Sequence, residues 1–150
     1  MYISHRGNLE GRIAEMENDP AYIEKAIAAG YMAEIDFWKV EDRIYLGHDE
    51  GQHDISMEWL NFRKQHLLVH CKNREGFDHA LKSGLHAFWH TDEDYVMTSW
   101  GYTVGYPGKL SVGPRFILAV PERHWGDNVL YCKPFITFGV LSDYVKLLNT

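Results

Sequence analysis

Polar and apolar residues follow two rhythms along this chain, and the change between them falls near the middle. In the first half, short runs of period two alternate with segments of helical spacing. Residues 2–5 read as a short strand, followed by a loop to about residue 18. Asp19 before Pro20 marks a helix start, with a carboxylate at the cap and a proline where a missing N–H costs nothing. Ile23, Ala26 and Ile27 then recur at helical spacing, and Gly30 suits the stop. Residues 32–40 form the second strand and 43–48 its return or extension. Ser56 caps a helix over about 57–65, 67–72 is a third strand, and Phe77, Ala80, Leu81 and Gly84 mark a third helix with its stop. This β-α-β-α-β-α order predicts parallel strands joined by right-handed crossovers.

The second half is strand-like. Runs at 86–90, 95–99, 102–106, 115–120 and 135–139 are broken by Gly, Pro and Asp, with no amphipathic helix among them. A last helix is expected over about 142–149, with Leu141, Tyr144, Val145 and Leu148 on one face. The run Phe116, Ile117, Leu118, Ala119 and Val120 is apolar on both parities, which is the mark of a strand buried on both faces. With so few helices to cover it, a homodimer pairing through these faces is expected.

A chain of 150 residues has room for one domain and not for two ordinary ones. A net charge of −6 argues against wholesale binding of nucleic acid or anionic membranes. No apolar run approaches the roughly 20 residues needed to cross a bilayer, so membrane insertion is not expected. The opening residues lack a charged-then-apolar leader. Cys71 and Cys132 are too few for a disulfide framework and have no CxxC spacing, so reduced thiols and a cytoplasmic location are expected.

Strand parity locates the candidate chemistry. Glu34 and Asp36 share one face of the second strand, opposite Ala33, Ile35 and Phe37. His70 and Lys72 share a face of the third strand, opposite Val69 and Cys71, and His5 ends the first. If these strands are parallel, the five polar residues converge at one mouth. Two carboxylates two residues apart suit a hard divalent cation such as Mg²⁺ or Ca²⁺. His86 and His90, with Asp92 and Asp94 beyond them, are weaker candidates for the same mouth. Gly101, Gly105 and Gly108 have no nucleotide-binding spacing and read as turns.

Taken in order, His5-Arg6-Gly7, Glu34-x-Asp36 and His48-Asp49 resemble the pattern of the glycerophosphodiester phosphodiesterases, in the superfamily of phosphatidylinositol-specific phospholipase C. Glu17-Asn18, Lys72, and Phe138-Gly139-Val140 through Ser142-Asp143 extend the resemblance. It is dense over residues 3–73, thin over 85–134 and weak again at the end. It implies an α/β fold, here a compact, partly degenerate TIM-type (β/α) barrel with few helices in its second half. It also implies that His5 and His48 are the acid–base pair, that Arg6 and Lys72 bind the substrate phosphate, and that Glu34 and Asp36 hold the metal. The family's third metal carboxylate is replaced by His70, and an imidazole ligand shifts preference towards Mn²⁺ or Zn²⁺. The implied activity is metal-dependent hydrolysis of a small phosphodiester. The alternative is a phosphate- or ligand-binding module that keeps the mouth without turnover.

Overall fold

The computed structural model describes residues 1–111, 113–126 and 137–150. The first half follows the sequence pattern closely. Strand β1 (Tyr2–His5) leads through a long loop to α1 (Pro20–Ala28), where the Asp19 carboxylate accepts the backbone N–H of Ala21 and Tyr22. Strand β2 (Met32–Val40) turns back as β3 (Arg43–Leu46) and adds a third antiparallel piece, β4 (His53–Ile55). Helix α2 (Met57–Arg63) is capped by Ser56 Oγ, and β5 (Leu67–Cys71) runs parallel to β2. Helix α3 (Arg74–Lys82) follows, capped by Asn73, and then β6 (Ala87–Phe88).

Beyond β6 the strands are β7 (Tyr95–Met97), β8 (Thr103–Gly105), β9 (Gly113–Ala119) and β10 (Thr137–Ser142). Two one-turn helices, α4 (Glu122–Trp125) and α5 (Val145–Leu148), complete the described elements. The expected strand at 135–139 lies partly outside the described residues, as do Cys132 and the middle of the segment between β9 and β10.

The ten strands form one mixed sheet in the order β4-β3-β2-β1-β10-β9-β8-β7, with β5 and then β6 attached to β2 on its other side. This is a curled half-barrel with five short helices, and it overturns the expected TIM-type (β/α) barrel. The reason is visible element by element. Among the described residues α1, α2 and α3 are the multi-turn helices between parallel strands, α4 between β9 and β10 is a single turn, β6 has two residues, and β7 pairs antiparallel with β8. Strands β8 and β9 are parallel, yet no helix stands between them among the described residues. The curl brings β6 beside the turn after β7, where Ser99 N–H donates to Ala87 O at 2.7 Å and Ser99 Oγ accepts from Ala87 N–H at 2.9 Å.

Alternation along β2 and β5 sorts the core. Ala33, Ile35, Phe37, Val69 and Cys71 pack outward under the helices with Ile23, Leu60 and Ala80. Burial there pushes the Cys71 thiol up to about 12. Inside the curl, Ile3, Leu68, Phe88, Val104, Ile117 and Leu141 form a second cluster. The outward face of β9 is covered by the chain itself. Phe116 and Leu118 pack with Val140 and Leu148 beneath Tyr2, Trp125 and Tyr144. Among the described residues no helix is long and apolar enough to cross a membrane.

His86 belongs to this framework. It enters β6 from the end opposite the site, bonds Thr98 Oγ1 through Nε2 at 2.9 Å and stacks on Trp100 at 4.6 Å. Burial lowers its pKa to about 4.

Two outcomes are expected. Phe116→Asp buries an unpartnered charge and lowers stability by about 3 kcal/mol or more, read as a reduced urea midpoint. His86 favours the folded state while neutral, so this contribution is complete above the ordinary imidazole value and lost as pH falls towards about 4. The stability difference between wild type and His86→Phe, measured by urea titration, shifts in favour of the variant across that window. A pH-independent difference refutes the assignment.

Candidate functional site

The site lies where β1, β2 and β5 end side by side. Parallel register sets His5 beside Glu34, and Asp36 beside His70. Their side chains face the inside of the curl, opposite the helix-covered face. With Asp36 fully buried behind them, His5, Glu34 and His70, together with Arg6, His48 and Lys72, form the polar wall of a cavity of about 190 Å³. Its other wall is apolar, made by Phe88, Val96, Val104, Val120 and Leu141.

Asp36 is the best-connected group. Asn18 brackets it, donating from Nδ2 to Oδ2 at 2.9 Å while its Oδ1 accepts the Asp36 backbone N–H at 2.8 Å. Arg6 Nε lies 2.7 Å from Oδ2, an ion contact off the ideal hydrogen-bond direction. His70 Nδ1 and Lys72 Nζ approach Oδ1 at 3.0 and 3.5 Å. Burial works against the charge on Asp36, but the His70, Arg6 and Lys72 contributions outweigh it and hold the carboxyl well below its usual range. The same balance, with Asp36 and Glu34 outweighing burial, raises the pKa of His70.

The loop after β1 makes this possible. Arg6 adopts a positive φ of 54°, and Gly7 follows at 94°. A Cβ on Gly7 would stand 2.5 Å from the Tyr22 ring, so the turn that aims Arg6 inward requires glycine. Arg6 Nη1 then donates to Glu17 Oε2 at 3.0 Å. Asn8 Nδ2 donates to both Glu17 Oε1 and Asp143 Oδ1, at 3.0 and 2.8 Å.

His5 is oriented from the far end of the chain. Its Nδ1 lies 2.7 Å from Asp143 Oδ1. An ionised carboxylate only accepts, so Nδ1 carries a proton, and in the neutral ring Nε2 is the nitrogen with the lone pair, 4.0 Å from Glu34 Oε2. Burial opposes ionisation of Asp143, and the bonds from His5 and Asn8 outweigh it, keeping the carboxyl below its usual range.

Glu34 contrasts with Asp36. It is buried, yet Oε2 accepts no hydrogen bond. Ligand atoms of Glu34, Asp36 and His70 all lie within 4.8 Å of one another. His70 Nδ1 is 3.0 Å from Asp36 Oδ1 and 3.6 Å from Glu34 Oε1. Neighbouring donors on an octahedral cation at about 2.1 Å stand about 3.0 Å apart, so the set fits a divalent ion once His70 releases its Nδ1 proton. The second acidic cluster, His5, Glu17 and Asp143, is already joined internally by the His5–Asp143 bond and the Asn8 amide.

His48 lines the same cavity from the loop after β3, but its side chain is 44% exposed and its Nδ1 bonds exposed Asp49 at 2.7 Å. Gly47 carries the turn, with φ 151° and no room for a Cβ beside Glu50 O. Arg6 lines the cavity with two of its nitrogens already engaged by Asp36 and Glu17, whereas Lys72 keeps a looser contact. His90 reaches the cavity and His86 does not, because they stand at opposite ends of β6.

Sequence reasoning did not assign Asp143, Asn8 or Asn18 to the site. Asn18 and Asp143 sat inside the family-like segments, and burial of a loop asparagine has no signature in strand parity. It also missed the ring stack that holds His70, with Phe88 at 4.7 Å and His90 at 4.8 Å, both rings nearly parallel to it. Compared with known proteins, the chain matches no family model, no curated protein and no solved structure.

The two carboxylates predict opposite mutational behaviour. Asp36→Ala strips a buried partner from Arg6 and is expected to cost about 3–5 kcal/mol by urea denaturation. Glu34→Ala removes a group with an unpartnered oxygen and leaves the urea midpoint close to wild type. Equal losses refute this division.

Proposed function

We propose that this chain is a phosphodiester hydrolase acting on small, glycerophosphodiester-like substrates with one divalent cation. The observation that carries the reading is Glu34, a buried carboxylate whose Oε2 accepts no hydrogen bond and lies 4.0 Å from His5 Nε2, with ligand atoms of Glu34, Asp36 and His70 within 4.8 Å of one another. The family resemblance of His5-Arg6-Gly7, Glu34-x-Asp36 and His48-Asp49 supports it independently of that geometry. We further propose the cytoplasm as its location, where the buried Cys71 thiol stays reduced.

Glu34, Asp36 and His70 would hold the cation. Bound there, it would neutralise charge on the non-bridging oxygens of the phosphate. Carboxylates favour Mg²⁺ or Ca²⁺, and the His70 imidazole favours Mn²⁺ or Zn²⁺. Lys72 supplies a second positive charge at the phosphate, and Arg6 holds Asp36 in place while contributing its field. His5 moves the proton. Asp143 keeps Nδ1 protonated, so Nε2 accepts a proton from the attacking hydroxyl and then returns one to the leaving alkoxide, or shares that work with His48.

A binding module without turnover is the second reading. What favours it is the exposure of His48, whose Nδ1 bonds an exposed aspartate. A hydrolase is expected to cleave bis(p-nitrophenyl) phosphate with one of Mg²⁺, Ca²⁺, Mn²⁺ or Zn²⁺, and to lose activity with chelator. His5→Ala then lowers the rate by about 10²–10⁴, the range for a positioned acid or base. Glu34→Gln weakens metal binding in calorimetry about tenfold or more. Metal binding without hydrolysis establishes the module, and absence of metal binding overturns the site.

A further inference from the structure

The cavity has a cation that the reaction scheme above does not use. Arg123 lines its mouth from α4, just beyond β9, while Arg6 and Lys72 line it from the β1 and β5 ends. Along the sheet, β9 and β5 are four strands apart, separated by β10, β1 and β2, so Arg123 faces the reacting groups from the other wall. Between them lies the apolar surface of Val104, Val120 and Leu141. The cations differ in their state. Arg6 is ion-paired with Asp36 and Glu17, and Lys72 with Asp36. Arg123 makes no ion pair among the described residues and is exposed; Asp143, whose Oδ1 is taken by His5 and Asn8, is the carboxylate that feels its charge.

Its placement is built at a conformational cost. Val120 sits at φ 41°, a region that β-branched residues avoid, and it precedes Pro121, which disfavours most conformations other than extended ones. Strain of this kind costs on the order of 1–3 kcal/mol and persists only where surrounding contacts impose it. Here they do. Val120 N–H donates to Leu141 O at 2.7 Å, and Val120 O accepts the Arg123 N–H at 3.1 Å. The neighbouring Glu122 bolts the same turn to the end of β10, accepting Asp143 N–H at 2.6 Å and Ser142 Oγ–H at 3.1 Å. A relaxed turn would send α4 elsewhere, and this one holds Arg123 at the mouth.

Building on the phosphodiester reading, we propose that Arg123 is a specificity residue for an anionic group carried by one substituent of the diester. The scissile phosphate sits against Lys72 and the Glu34–Asp36–His70 set. The substituent crosses the apolar wall, and its carboxylate or phosphate meets the guanidinium, which binds either by two parallel hydrogen bonds. Substrates bearing a second anion are thereby selected over neutral-ended or cationic ones.

Two probes isolate this contact, since glycerophosphoserine and glycerophosphoethanolamine differ by one carboxylate. Binding is measured by calorimetry with the metal-loaded protein in the His5→Ala background, which prevents turnover. The serine ester is expected to bind about five- to tenfold more tightly, the range of one charge-assisted contact at a partly exposed site. Arg123→Gln reduces that ratio to near one, Arg123→Glu inverts it, and Arg123→Lys keeps part of it. A simple phosphate monoester, glycerol 2-phosphate, extends the test to the other anion class in a competition arm. Equal binding of the two esters to the Arg123-containing protein, or an unchanged ratio in Arg123→Gln, overturns the assignment and leaves the diester reading standing. Binding of neither ester overturns both.

Discussion

Asp36 carries a full negative charge into a place that water does not reach, and the rest of the site is arranged around keeping it there. A lone buried carboxylate would take up a proton or unfold its surroundings. Asn18 and Arg6 meet it from the loop after β1, and His70 and Lys72 from the end of β5, so the charge is compensated only when both are docked on β2. The requirement runs outward as well. Arg6 must be held by Glu17, and Glu17 by Asn8 and Arg12, before the guanidinium can reach inward. The unusual backbone at Arg6 and Gly7 is the geometric expression of that chain of demands.

Much of the first half was legible because local signals and tertiary needs agree there. Caps at Asp19 and Ser56, period-two alternation in β2 and β5, and the parallel order all point the same way. Parity alone brought Glu34, Asp36, His70 and Lys72 to one side. What it does not encode is how much of each group is already spoken for. Arg6 and Glu34 look alike as site candidates in sequence, yet one is tied by two carboxylates and the other has an oxygen with no partner.

The second half was less legible for a different reason. Its strands are two to seven residues long, and strand existence there depends on neighbours remote in sequence rather than on local periodicity. The β9 run is apolar on both parities, and its outer face meets the chain's own last turn and Tyr2. The extrapolation from three crossover helices to a full barrel failed because β7 and β8 form a hairpin that replaces a helical crossover with a few residues of turn.

The bond between His5 and Asp143 spans 138 positions of sequence. Closing a loop of that length is entropically demanding, and contacts of such separation form late in folding. The imidazole therefore acquires its defined tautomer only after β1 has paired with β10, the seam that joins the two ends of the described fold. Partly folded or still-emerging chains hold the acidic residues of β2 but lack a histidine oriented by Asp143. Orientation of His5 thus arrives with closure of the β1–β10 seam rather than in proportion to the structure formed before it.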